Sequence, residues 1–171
     1  LVLVITFGMS LYGQKEDRVL PWTTERRLSW KDYQSSPLKT EWAAATTASG
    51  ITYTLNSVIG GSEPRLEIVV AALFYPDRSW YKPDLCDQVV LSHEQLHFDI
   101  TELFARKFRK RLKTLKNNKN IKKEVRAIFV HINKELNAFQ NKYDRETNFS
   151  RNVPEQLVWN KKIAATLNKV E

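Results

Sequence analysis

An α+β domain, with its strands in the first half and its helices in the second, is what this sequence predicts. Three observations carry that expectation. Residues 51–75 hold two β-rich stretches on either side of Gly60-Gly61-Ser62. From Asp84 to Leu115 the chain contains neither Gly nor Pro, and its apolar positions recur at spacings of three and four. Two more amphipathic stretches follow, separated by Asn-rich or Pro-containing turns. The chain has 171 residues, of which 42% are apolar, which suits one domain with a real core.

The first stretch, LVLVITFGMSLYGQ, is a short apolar run that ends in small residues and Gln14. It resembles the apolar region and cleavage zone of a secretory signal peptide, and it is too short to span a membrane. We therefore expect residues 1–14 to lie outside the fold. Residues 15–171 then form a single domain, exported to the periplasm or beyond. From Gln14 to Pro37 the chain is polar with spaced aromatic residues, and Leu28 and Trp30 alternate as a short strand would. Residues 41–50 are small and turn-prone. Ile51–Leu55 alternates apolar residues with Thr, and Leu66–Tyr75 (LEIVVAALFY) is a long strand closed by Pro76-Asp77. Such a strand could offer its edge to a peptide. Its apolarity points instead to a buried central position.

The first helix is expected to start near Asp84 and Asp87, whose carboxylates suit the positive helix end. Its last turns carry Arg106, Lys107, Arg109, Lys110, Arg111 and Lys113, which suit the negative end. A turn at Asn117–Asn120 leads to a second helix, with Ile121, Val125, Ile128, Ile132, Phe139 and Tyr143 on one stripe. A last helix covers about Glu155 to Leu167, with Leu157, Trp159 and Ile163 apolar.

The single cysteine, Cys86, excludes a disulfide within the chain and a cysteine-based metal site. It reads as packing at the helix start. The net charge of +8 favours anionic surroundings without naming them. The basic run from Arg106 to Lys123 lacks the interleaved aromatics of a base-stacking platform, so we expect a solvated face and no nucleic-acid partner.

The chemistry lies in His93-Glu94-Gln95-Leu96-His97. On a helix, residues four apart share one face, so His93 and His97 can offer two imidazoles to one cation. Zn2+ takes such nitrogens at about 2.0–2.1 Å and lowers the pKa of a bound water to about 7. Glu94 is offset by roughly 100° of helix rotation, poorly placed to ligate but well placed to take a proton from that water. The three residue types at this spacing point to peptide hydrolysis by a single chain acting on peptide or protein substrates.

HEQLHFDITELFARK resembles a motif, HEQ-x-HFDI followed by a basic helix, of a family of predicted secreted bacterial zinc-dependent proteases first catalogued as a domain of unknown function. LSWKDYQ, AAATTASGI, SWYKP and YDRET look like further parts of that family's pattern. The resemblance implies a zincin-like fold: a small, mainly antiparallel sheet against an active-site helix and a second antiparallel helix. It also implies metal-dependent peptide hydrolysis, and it names no substrate; we separately expect a monomer with no stable membrane insertion.

Catalytic zinc takes three protein ligands and leaves one position open. Asp99 and Glu102 lie about 160° and 140° around the helix from His97 and cannot join it. If the second helix folds back antiparallel, Phe139 returns to the level of His97. Phe139, Tyr143 and Glu146 then share a stripe, which makes Glu146 the expected third ligand and Glu135 its rival. His131 falls too far along the axis and reads as a surface residue. Tyr143 could orient substrate or stabilise an oxyanion, or it could simply pack in the core. Asp99 could hold a neighbouring group in place or stand exposed. Relatives often carry His where this chain has Phe149. If that His is a ligand, then either Glu146 substitutes for it, or the metal is held weakly, or this chain is a binding protein of the same fold with impaired catalysis.

Overall fold

The computed structural model describes residues 18–41, 43–59, 64–116 and 118–169. The expected signal remnant, residues 1–14, lies outside the described residues. The order is β1 (Leu20–Pro21), β2 (Ala45–Thr46), β3 (Ser49–Ile59), β4 (Pro64–Phe74), β5 (Trp80–Tyr81), α1 (Gln88–Leu112), α2 (Ile121–Glu146) and α3 (Val153–Leu167). The domain is α+β, with a small antiparallel sheet and three helices.

β3 and β4 form the hairpin expected from residues 51–75, and β1 adds to the far side of β4 through Leu73 and Phe74. The register places Ile51 opposite Ala72, Tyr53 opposite Val70 and Leu55 opposite Ile68. These side chains share one face because strand side chains alternate. That face lies on α1, where Ile51, Val70, Ala72 and Phe74 are all buried. β4 is thus central, but only one of its faces is covered: Val69 on the other face is 48% exposed. A second, two-stranded sheet pairs Ala45 with Tyr81 and Thr46 with Trp80. The segment read as turn-prone therefore holds a strand. Leu28 and Trp30 do not form one. Trp30–Asp32 is a short 3-10 turn, with Trp30 stacked on Tyr81 at 4.6 Å.

α1 is the middle layer. The sheet packs on one side of it, and α2 and α3 pack on the other. This explains why its apolar residues exceed a single stripe: Leu96, Phe98, Ile100, Leu103, Phe104, Ala105 and Phe108 are all buried. Its cap is Asp87, whose Oδ1 accepts from the backbone of Val89 and Val90; Asp84 belongs to the preceding 3-10 turn. α2 uses its expected stripe, with Val125, Ile132 and Tyr143 fully buried. α3 starts at Asn152, which accepts from Glu155 N, and inserts Trp159 and Ile163. Among the described residues no helix is long and apolar enough to cross a membrane.

Candidate metal centre

His93 and His97 stand one turn apart on α1 with 5% and 14% of their side chains exposed. Each Nδ1–H donates to a glutamine carbonyl: His93 to Gln156 Oε1 on α3 at 2.9 Å, and His97 to Gln140 Oε1 on α2. The glutamines are themselves oriented. Gln156 Nε2 donates to Asn160 Oδ1, whose amide reaches Ser92 Oγ; Gln140 Nε2 reaches Thr101 Oγ1. With both Nδ1 atoms protonated, both Nε2 lone pairs turn to the same point. Asp144 Oδ1 of α2 meets them there.

The three atoms form a small triangle. Nε2 to Nε2 is 3.2 Å, and Asp144 Oδ1 lies 3.2 Å from His93 and 2.9 Å from His97. Ligands held at 2.0–2.1 Å around a tetrahedral ion sit about 3.3 Å apart. The donor set therefore fits a divalent cation such as Zn2+ in size and in atom type. Among the described residues it is the group of three metal-ligating side chains that comes together.

Tyr143 supports this triangle from below. It is fully buried, its ring stacks on His93 at 4.5 Å and meets His97 edge-on at 5.0 Å. Its hydroxyl faces Gln156 Oε1 at 2.8 Å and His93 O at 3.2 Å. Burial, with Glu94 and Asp144 nearby, raises its pKa, so the phenol stays protonated. It is a packing and positioning residue and does not reach the cleft.

Burial alone would lower His97, but the bond to Asp144 and the charges of Glu94 and Asp144 outweigh it and raise its pKa. Burial would raise Asp144. When the rings are protonated, hydrogen bonds from the Nε2–H of His93 and His97, and their charge, instead hold its carboxyl well below the usual range. A proton thus binds well where the three acceptors converge, and a metal ion would compete for the same place.

The triangle opens into a cleft of about 760 Å³. Glu94, 6% exposed, lines it beside His93, His97 and Asp144. One wall is the segment Ala43–Thr47, tied from behind by Lys82 N and Cys86 Sγ on Ala44 O and by Lys82 Nζ on Ala43 O. The thiol is thus a packing group, and burial raises its pKa.

A family model described as a bacterial protein of unknown function (DUF922) matches residues 9–151. The chain belongs to this family. No curated protein and no solved structure matches it. The matched part of the family member holds His93, Glu94, His97, Gln140 and Asp144, whereas Gln156 comes from α3 beyond it.

The sequence expectation for the third carboxylate needs correction. Glu146 is turned away: it accepts from Trp159 Nε1 at 3.0 Å and pairs with Lys142 at 2.6 Å, and that lysine keeps its carboxyl below the ordinary range. The rival Glu135 is held by Arg111 and by the exposed His131. The carboxylate that meets the two imidazoles is Asp144 instead, two positions before Glu146 and so about 160° around the helix from it. A signal was available: Gln140 and Asp144 repeat the four-residue spacing of His93 and His97. Asp99 and Glu102 do lie off the His face. Asp99 is buried and accepts from Trp22 Nε1, Gln95 and Arg27, anchoring the N-terminal segment to α1. Phe149 lines the cleft, and the triangle forms without it.

Proposed function

We propose that this chain is an exported zinc-dependent metallopeptidase with a zincin-like arrangement, in which His93, His97 and Asp144 hold the metal. The observation that carries this reading is the convergence of two oriented Nε2 lone pairs and one carboxylate beside Glu94 in an open cleft. When bound, zinc supplies an acidified water and polarises the carbonyl under attack. Glu94 accepts a proton as the water oxygen bonds to the peptide carbon, and returns a proton to the nitrogen as the C–N bond breaks. Gln156 and Gln140 keep the imidazoles oriented throughout. β2 offers an edge with no further strand on it among the described residues, where an extended peptide adds by backbone hydrogen bonds.

The test is metal content and turnover together. Residues 15–171, without a histidine tag, should carry about one zinc per chain. Asp144→Ala and His97→Ala should carry none, and Glu146→Ala should match wild type. Glu94→Gln should keep its zinc and lose peptide cleavage by about 100-fold or more. Zinc without Glu94-dependent cleavage would leave a metal-binding protein of this fold. No zinc in wild type would end the reading.

A further inference from the structure

The turn that joins α2 to α3 carries three consecutive left-handed residues that are not glycine. Their φ angles are 47° at Asn148, 52° at Phe149 and 73° at Ser150. A helix commonly ends on one such residue, usually Gly. Asn tolerates this region, but Phe and Ser are strained there, by roughly 1–2 kcal/mol each. The turn is held regardless. Phe149 N donates to Asp144 O at 2.9 Å, Asn152 N donates to Thr147 O at 2.8 Å, and buried Thr147 bonds back to Tyr143 O. Strain kept in place by its surroundings is concentrated at functional sites.

Core packing does not account for Phe149 either, because the residue is 49% exposed. It faces the cleft, in company with Leu85, 62% exposed, and half-buried Val90 one turn before Glu94. Two large apolar side chains therefore stand open to water in the cleft that holds the candidate metal centre. One wall, Ala43–Thr47, is built of small side chains, and Asn137, Asn141 and Arg151 line the cleft as well.

We infer that Phe149, with Leu85 and Val90, receives a bulky apolar side chain of the substrate beside the reacting bond. Phe149 is thus a specificity-determining residue, and the substrate class is peptides with Leu-like or Phe-like residues there. The inference rests on the peptidase reading above, but its test does not depend on turnover.

The probes are two end-blocked pentapeptides, alanine at every position except the centre, which is leucine in one and serine in the other. Serine is chosen over aspartate because Arg151 lines the same cleft and would attract a carboxylate. Binding is measured by calorimetry on Glu94→Gln, with zinc and with chelator, and again on Glu94→Gln carrying Phe149→Ala. The leucine peptide should bind about 10-fold or more tightly than the serine peptide, the range an apolar pocket discriminates. Phe149→Ala should bring the two within about 3-fold, and Phe149→Leu should restore most of the preference. Zinc content and melting temperature should not fall in either variant. Equal binding of the two peptides, or a preference unchanged by Phe149→Ala, overturns the inference. A preference that is intact while wild type cleaves neither peptide counts against the peptidase reading alone.

Discussion

Helix α1 carries two buried charge clusters, and they are finished in opposite ways. Toward its C-terminal half, Glu102 accepts from Arg106 and Arg109 at 2.9 Å each. Arg106 also caps Leu167 O of α3, and Arg109 reaches Val70 O of β4. Donors and acceptors there match, and the cluster ties α1 to the sheet and to α3. Two turns earlier, His93 Nε2, His97 Nε2 and Asp144 Oδ1 converge on one another, sharing protons rather than pairing with an arginine. Ligand-type atoms that converge beside an acidic side chain at the floor of a cleft are the arrangement that metal sites share, whereas the Glu102 cluster opens on none of the cleft's lining. The first cluster holds the fold, and the second is the candidate metal centre.

Zinc should give the largest separation between them. At about a thousand times its Kd it should stabilise the wild-type domain by about 4 kcal/mol, and this gain should vanish in Asp144→Ala. Thermal melts with zinc and with chelator measure it. An equal gain in Asp144→Ala would place the ion elsewhere.

Glu102→Ala should do the reverse. It removes the carboxylate from two arginines that keep their backbone and ring contacts, and should cost about 2–3 kcal/mol in urea unfolding, less than a fully buried pair because the Arg109 side chain is 38% exposed. Zinc affinity of the folded variant should match wild type. A large loss of affinity would mean that the two clusters are coupled along α1.

A smaller effect is expected from the orienting amides. Gln156→Ala, or Gln140→Ala, should lower zinc affinity by about 10- to 100-fold while leaving stoichiometry at saturation unchanged. Competition with a chromogenic chelator reads this directly. Unchanged affinity in both variants would reduce the glutamines to packing.

The subtlest prediction concerns pH. In the metal-free protein His97 is raised, so its contribution to stability is full below about pH 6.5 and is lost as pH rises through the raised value. Asp144 is depressed, so its contribution is present above the ordinary carboxylate range and is lost only in strong acid. Zinc requires the deprotonated imidazole. Melts with and without zinc should therefore converge near about pH 5.5 and separate toward about pH 8. Separation that grows toward acid would contradict the assigned protonation.

Sequence periodicity carried most of the fold. The hairpin, the long breaker-free helix and the two later helices are local patterns, because side-chain spacing of two or of three to four reports the covered face directly. The two-residue strands β1, β2 and β5 were not legible, since such short pairings are set by distant partners and not by their own residues. Within the site, His93, Glu94 and His97 were readable because they share one helix, and their relative placement follows from helical geometry alone.

What the chain by itself determined is therefore the strand-then-helix order, the apolar faces and one half of the candidate metal centre. What only the tertiary structure decided is the other half: Asp144 instead of Glu146, Gln140 and Gln156 behind the imidazoles, and Tyr143 beneath them. Those choices depend on how α2 and α3 are rotated about their own axes against α1. One residue is about 100° of that rotation, so an otherwise correct pairing of helices still leaves the ligand undetermined until the packed side chains set the angle.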